Sequence, residues 1–516
     1  MKQDTFEGKA RTRNGVMRVV FSAICIILEG LFIIGLLTRL NQYGTIINII
    51  TRLLAGTLVL LLCASDRTSY MKVPWIILIL ILPVMGVSMY LFIGLNGGTR
   101  RMRDRYGKID AELLPLLPDG RGELDALNEK IPRAGNIAGY IQRNAHYPVY
   151  RNTDVVYLDD AMKGLQAQLA DLAKAKKFIF MEYHAIEDAE AWHMIQAVLE
   201  ERVKAGVDVR VFYDDIGSIG FINRDFSKKL EAVGIRCRVF NPFVPVLNLF
   251  LNNRDHRKIT VIDGQVGFTG GYNLADEYFN VKHPYGHWKD TGVKLTGSAV
   301  WNLTQMFLEM WNAMGRTDED CRAYLAAPAA QIDAPGIVAP YADSPLDDER
   351  VGECVYMNLL RQARRRCWIT TPYLILDDEM TQALILAAKR GVDVRIITPG
   401  IPDKKLVFQI TRSYYGQLAR GGVRIYEYAP GFIHAKQMLA DDDTAVVGTV
   451  NLDFRSLYLH FEDAVLFSGC PAVQQVSADF DATLALCREV TQASRARQKP
   501  HVRVIQKLLR LFAPLL

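Results

Sequence analysis

His256-x-Lys258-x-x-x-x-Asp263 and His434-x-Lys436-x-x-x-x-Asp441 each occur once, and each is followed after six residues by a small-residue turn and an asparagine. The turns read Gly270-Gly271-Tyr272-Asn273 and Gly448-Thr449-Val450-Asn451. Two imidazoles, two ammonium groups and two carboxamides can surround a phosphodiester. One histidine attacks phosphorus, the other protonates the leaving alcohol, and lysine and asparagine hold the non-bridging oxygens. Histidine suits both tasks because its pKa of about 6.5 lets neighbours set it neutral or charged. A single copy of the pattern is a weak signal; a second copy, with the same tail at the same offset, is a strong one. Asp263 and Asp441 complete the motif and are carried with the catalytic set. Seven residues along a straight strand is about 23 Å, however, so a turn or ion-pair role is expected of both.

The segments that must position these groups repeat as well. Gly206-Val207-Asp208-Val209-Arg210 reappears as Gly391-Val392-Asp393-Val394-Arg395, each time after a helix-like stretch. Upstream, Phe178 to Tyr183 matches Trp368 to Tyr373, and downstream Gly234-Ile235-Arg236 matches Gly422-Val423-Arg424. Each half therefore reads strand, helix, strand, helix, strand, then the histidine strand. The expected fold is α/β: a pseudo-two-fold pair of halves, each a mixed sheet flanked by helices, with both histidine strands ending at one cleft.

On these motifs the chain resembles the phospholipase D superfamily, and within it the bacterial cardiolipin synthases. Asn253-Arg254-Asp255-His256-Arg257-Lys258, Tyr213-Asp214-Asp215-Ile216-Gly217-Ser218 and Asn451-Leu452-Asp453-Phe454-Arg455-Ser456 carry the likeness further, from roughly residue 45 to the C-terminus. The resemblance implies a phosphatidyltransferase that makes cardiolipin and glycerol from two phosphatidylglycerol molecules through a phosphatidyl-histidine intermediate. It implies His256 as nucleophile and His434 as acid, an order that the residues themselves leave open. It also implies Asp290 and Glu462 as the carboxylates that orient the imidazoles, and Asn273 and Asn451 as phosphate ligands. A hydrolase, or a transferase using another alcohol, would share every step but the last. Gly271 departs from the pattern, since many members of the superfamily carry serine there; Thr449 holds the hydroxyl in the second half.

Half of the 516 residues are apolar, enough for a large core. Eight scattered cysteines without a CxxC pair fit a reducing compartment, and nine histidines without paired-ligand spacing imply no metal. No cofactor is expected. Nor is a nucleic-acid partner, because the chain lacks a broad basic stretch interleaved with aromatics, and Arg364-Arg365-Arg366 reads as a solvated helix end. The expected partners are phosphatidylglycerol and an anionic bilayer, and two motifs in one chain remove the need for a dimer to assemble the site.

Residues 1–99 read as a membrane anchor. Val73 to Leu95 carries no charge over 23 residues, and Val19 to Thr38 is interrupted only by Glu29. Both match a hydrocarbon core of about 30 Å. Between them Thr45 to Ser65 is apolar but holds Arg52, whose insertion costs on the order of 3 kcal/mol. Two or three transmembrane helices are therefore expected. Lys2, Lys9, Arg11 and Arg13 on one flank and Arg100 to Lys108 on the other place the catalytic region in the cytoplasm, at a bacterial inner membrane. Residues 100–135 form a basic and polar connector, 136–330 and 331–498 the two halves, and 499–516 a basic amphipathic end.

Overall fold

The computed structural model describes residues 45–65, 69–91, 97–242, 253–315, 321–325, 332–347, 349–491 and 500–510, with five helical positions between 30 and 38. The first half supplies strands β1 (Thr153–Leu158), β2 (Phe178–Tyr183), β3 (Asp208–Asp214), β4 (Arg236–Phe240), β5 (Arg254–Asp255), β6 (Lys258–Ile262), β7 (Val266–Gly270), β8 (His287–Lys289) and β9 (Gly292–Gly297). The second supplies β10 (Ile337–Asp343), β11 (Arg366–Thr370), β12 (Asp393–Pro399), β13 (Arg424–Tyr428), β14 (Gly431–Ile433), β15 (Gln437–Ala440), β16 (Thr444–Gly448), β17 (His460–Ser468) and β18 (Cys487–Glu489).

One sheet runs β1-β9-β7-β6-β2-β3-β4 and the other β10-β17-β16-β15-β11-β12-β13-β18, so the same order recurs and the expected duplication is present. Within each, three parallel strands (β2, β3, β4; β11, β12, β13) join an antiparallel set that contains the histidine strand. Every residue of β2 is buried, the pattern of a strand covered on both faces.

The halves also exchange short strands, which the sequence did not suggest. β5, just before His256, pairs parallel with the start of β17 from the other half; β14, just before His434, pairs parallel with β8. Each histidine is thus anchored by backbone to the opposite half. The His256 amide donates to the Phe461 carbonyl at 2.9 Å and the His434 amide to the Lys289 carbonyl at 2.8 Å.

The amino-terminal region differs from expectation. Helix α1 (Thr45–Ala64) is followed by α2 (Ser69–Ile81) and α3 (Pro83–Met89), so the apolar run from Val73 is broken at Leu82, where Pro83 opens a new helix. Gly86 lies against α2 so closely that a Cβ there would sit 2.6 Å from Ile79 Cα. The run therefore folds back on itself, and its thirteen-residue helix, about 20 Å long, falls short of a bilayer core of about 30 Å. Among the described residues no helix is long and apolar enough to cross a membrane, so the expected transmembrane helices find no support there. Most of the first expected span, Val19 to Thr38, lies outside the described residues.

The stretch read as a connector is helical. In α4 (Gly97–Leu113), Tyr106, Ile109 and Leu113 are buried in the main core. Tyr106 donates to Met310 Sδ at 3.1 Å on α5 (Val300–Ala313) and stacks on Phe461 at 5.2 Å. Its charged residues follow the exposed face of an amphipathic helix; the charge, with Pro115, Pro118, Gly120, Gly122 and Pro132 after it, had suggested a connector. Three further helices enter the site argument: α6 (Lys405–Arg420), α7 (Phe454–Tyr458) and α8 (Pro500–Leu509), the last lying along α6 with Gln506 donating to Gln409 at 2.8 Å.

Candidate active site

The two motif histidines are held by carboxylates from the opposite half. His256 Nδ1 lies 2.8 Å from Glu462 and His434 Nδ1 lies 2.7 Å from Asp290. Both carboxylates are fully buried; Glu462 lies on β17 and Asp290 directly after β8, each the residue that follows the carbonyl bonded to the histidine amide. An ionised carboxylate only accepts, so Nδ1 carries the proton on each ring and Nε2 presents its lone pair. Glu462 also accepts from the hydroxyls of Thr449 and Ser456; Asp290 accepts from the Thr291 amide at 2.9 Å and from Trp288 Nε1 at 3.5 Å.

Lys258 and Lys436 converge on the same place, and both are buried. Lys258 Nζ donates to the His256 carbonyl at 2.6 Å; Lys436 Nζ reaches the His434 carbonyl and lies 2.9 Å from His434 Nε2. Burial pulls both ammonium groups down, Lys258 to about 8 and Lys436 to about 7, against the pull of Glu462 on the first and Asp290 on the second. Burial, with the adjacent lysines, likewise holds His256 well below its usual value and His434 down to about 3. Both imidazoles are neutral when no substrate is bound, which suits attack. Entry of a phosphodiester brings the negative charge that favours protonation of one of them.

A pH dependence follows from these shifts. A cation with a depressed pKa is charged below that value and loses its charge above it, so the phosphate clamp weakens as pH rises through about 7 to 8. The kcat/KM of the protein is expected to fall across that window, whereas ordinary lysines would hold a plateau to about pH 10. A pH-rate profile on detergent-dispersed lipid that stays flat to pH 9 would contradict this placement of the lysines.

Asp263 and Asp441 leave the set of reacting groups. Each adopts a left-handed backbone, φ 53° and 52°, at the turn after its histidine strand. Asp263 accepts from the amides of Lys176, Lys177 and Phe178, and Asp441 from those of Arg364, Arg365 and Arg366. Arg133 adds an ion pair to Asp441. The aspartates thus tie the far end of each histidine strand to the start of β2 or β11. The asparagines are unequal: Asn273 accepts from the Ala185 amide at 3.2 Å and donates to Tyr278 at 2.7 Å, whereas Asn451 Oδ1 is buried without a partner.

The glycine at 271 has a physical reason. A Cβ there would meet Asp290 Oδ1 at 2.0 Å, so the carboxylate that orients His434 occupies the space a serine would need. In the other half the longer Glu462 leaves room for Thr449, whose hydroxyl supports that carboxylate rather than a phosphate. Gly271→Ser is accordingly expected to displace Asp290 and lower kcat by roughly 10- to 100-fold with little loss of thermal stability. Near-normal kcat in this variant would show that Asp290 has freedom to move.

Comparison with known proteins follows this geometry. Residues 169–311 and 356–484 match the family model described as "Cardiolipin synthase, PLD-like domain", and residues 53–94 match a phospholipase D-nuclease N-terminal family. A "Cardiolipin synthase 2" of Bacillus cereus is 34% identical over 88% of this chain and 88% of its own length. The chain belongs to the cardiolipin synthase family of phospholipase D-like proteins. A Geobacillus sp. "Cardiolipin synthase" is 31% identical over 90% of the chain and 95% of its own length, and an uncharacterised protein of Streptococcus mutans is 43% identical over 89% and 99%. The crystal structure of phosphatidylserine synthase from Haemophilus influenzae shares the fold, with TM-score 0.55 and 15% identity over 73% of this chain and 97% of that one.

In this family member the two ends of the cleft are chemically unlike. Around His256 stand His184, with ring centroids 5.0 Å apart, and His460, at 5.5 Å; His184 Nδ1 lies 2.7 Å from the Asp255 carbonyl. Around His434 stand Tyr278, Trp288 and Phe432 at 5.2, 5.3 and 5.8 Å. From the sequence His184 and His460 both read as structural or pocket-lining, with His184 in Glu182-Tyr183-His184 the one expected to touch substrate; the repeat has no histidine at the matching positions Leu374 and Trp288. Among the described residues one group, His256, His460 and Glu462, brings three potential metal ligands within 4.8 Å. Lys258 and Lys436 beside it oppose a dication, and Glu462 already serves His256.

Proposed function

We propose that the protein is a phosphatidyltransferase that makes cardiolipin and glycerol from two phosphatidylglycerol molecules. The observation that carries this reading is the pair of imidazoles, each with Nδ1 on a buried carboxylate from the opposite half and with the lysine of its own motif beside it, Lys258 on the His256 carbonyl and Lys436 at His434 Nε2. Nε2 of one imidazole attacks phosphorus, the bond to the terminal glycerol breaks, and the partner imidazolium protonates that oxygen. The terminal hydroxyl of a second phosphatidylglycerol then attacks, its proton passes to the partner imidazole, and the P–N bond breaks. One phosphodiester replaces another, so no nucleotide is consumed. Lys258 and Lys436 supply the positive charge that meets the developing negative charge, and a preorganised cationic site of this kind supplies much of the rate.

The bilayer is the second part of the proposal. Leu53, Leu60 and Leu61 on α1 and Leu80 and Ile81 on α2 are exposed, a density of apolar surface that a water-facing domain rarely carries. These helices engage lipid and bring the cytoplasmic site to its substrate at an inner membrane, in support of an anchored enzyme. Incubation of the purified full-length protein with phosphatidylglycerol vesicles should yield cardiolipin and glycerol in equal amounts. Phosphatidic acid alone would identify a hydrolase, and no turnover of phosphatidylglycerol would sink the reading.

A further inference from the structure

We propose that Arg455, with His460 beside it, forms a second anion subsite that holds the phosphodiester of the acceptor lipid. The inference rests on the phosphatidyltransferase reading and deepens it. Arg455 lies on α7, which follows Asn451 and leads into β17. Its side chain is half-buried, and Nε is shut off from solvent without a hydrogen-bond partner. Among the described residues the guanidinium has no ion pair.

The neighbouring arginines are treated differently. Arg254 pairs with Asp214 at 2.5 Å and Arg257 with Glu309 at 3.5 Å. Asp453, the carboxylate nearest Arg455 in sequence, is occupied by the backbone amides of Arg455 and Ser456 at 2.9 and 3.1 Å. Burial therefore pulls the Arg455 pKa down, Arg254 adds to this, and Asp453 and Asp214 offset it only in part. A guanidinium whose Nε is shut off from water and left unpaired carries a cost that an anion would relieve, and its planar fork is well matched to a phosphodiester.

Its position fits an acceptor. The Leu459 amide donates to the Arg455 carbonyl at 2.9 Å, so His460 follows directly on the turn that Arg455 closes, and the His460 ring lies 5.5 Å from that of His256. The His460 ring nitrogens are buried without a hydrogen bond; Nδ1 lies 3.6 Å from Glu462, and among the described residues Nε2 has no polar partner. An acceptor phosphatidylglycerol carries its own phosphate one glycerol unit from the attacking hydroxyl. The pseudo-repeat supplies the contrast. Four residues after Asn451 stands Arg455, whereas four after Asn273 stands Glu277, whose carboxyl burial and the charges of Glu187 and Asp403 push to about 7. One end of the cleft attracts a second phosphate and the other does not.

The test uses the full chain in detergent micelles of phosphatidylglycerol with labelled glycerol present, so that cardiolipin formation and glycerol exchange are read in one tube. Exchange uses an uncharged acceptor and needs no second phosphate. Arg455→Gln is expected to slow cardiolipin formation about tenfold or more while exchange stays within about twofold, with Arg455→Lys intermediate. An unchanged ratio of the two products, or their equal loss in a variant with the wild-type melting temperature, overturns the subsite. If Arg455→Gln fails to fold, Arg455→Lys decides: a lowered cardiolipin-to-exchange ratio supports the subsite and an unchanged one overturns it. Inorganic phosphate separates the two sources of the anion. It should leave wild-type cardiolipin formation nearly unaffected, whereas strong inhibition that disappears in Arg455→Gln would reassign the site to free phosphate and overturn its role for lipid. A wild-type protein that releases only phosphatidic acid overturns the transferase reading and the subsite with it; cardiolipin formation that is indifferent to Arg455 overturns the subsite alone.

Discussion

His256→Ala and His434→Ala are each expected to lower cardiolipin formation by about 10⁴-fold or more, and the double variant is expected to be scarcely worse than either. The reason is that the imidazoles act as one unit. Without a nucleophile no phosphohistidine forms, and without the acid the glycerol oxygen leaves as a poor anion. Steady-state rates on detergent-dispersed phosphatidylglycerol, with circular dichroism to confirm folding, check the claim. Variants whose losses multiply in the double would show that the histidines contribute independently.

Asp290→Asn and Glu462→Gln carry the next largest effect, roughly 10²- to 10⁴-fold in kcat, because each removes the acceptor that fixes Nδ1–H on the histidine across the halves. An amide can present its NH₂ to Nδ1 and turn the ring to the wrong tautomer. The pairing predicts a specific pattern of coupling. Asp290→Asn combined with His434→Ala adds almost nothing to His434→Ala, and Glu462→Gln combined with His256→Ala behaves likewise. If Asp290 instead coupled to His256, within its own half, the crossed geometry would be wrong.

That crossing marks the boundary of what was legible in the chain. The repeated motifs and the matched Gly-Val-Asp-Val-Arg blocks are local signals, and the two sheets with the same strand order follow from them. Asp290 and Glu462 were visible as acidic residues downstream of each motif. Which histidine each one serves depends on the exchange of β5 and β14 between halves, a contact between residues about 150 to 200 positions apart that no periodicity encodes. The motif aspartates show the opposite case. Spacing along a strand already separated them from the chemistry, and the left-handed turns at Asp263 and Asp441 give the physical reason for an aspartate there: its side chain accepts the amides that open the neighbouring strand.

The described amino-terminal helices differ from the expected spans for a different reason. Hydropathy counts apolar residues and does not register that Pro83 breaks a helix or that Gly86 lets two helices meet. In α4 the reason is of the same kind, since a run of arginines with prolines and glycines after it concealed the buried stripe of Tyr106, Ile109 and Leu113.

The most direct test of the account is a rapid denaturing quench at alkaline pH, where a P–N bond survives, of the full-length protein with phosphatidylglycerol labelled in its phosphate, followed by peptide mapping at alkaline pH. The account predicts label on the peptide that carries His256 or on the one that carries His434, appearing before cardiolipin and lost when acceptor lipid is added. Label on neither histidine during active turnover would contradict a covalent phosphohistidine, and with it the assembly of one catalytic unit from two halves.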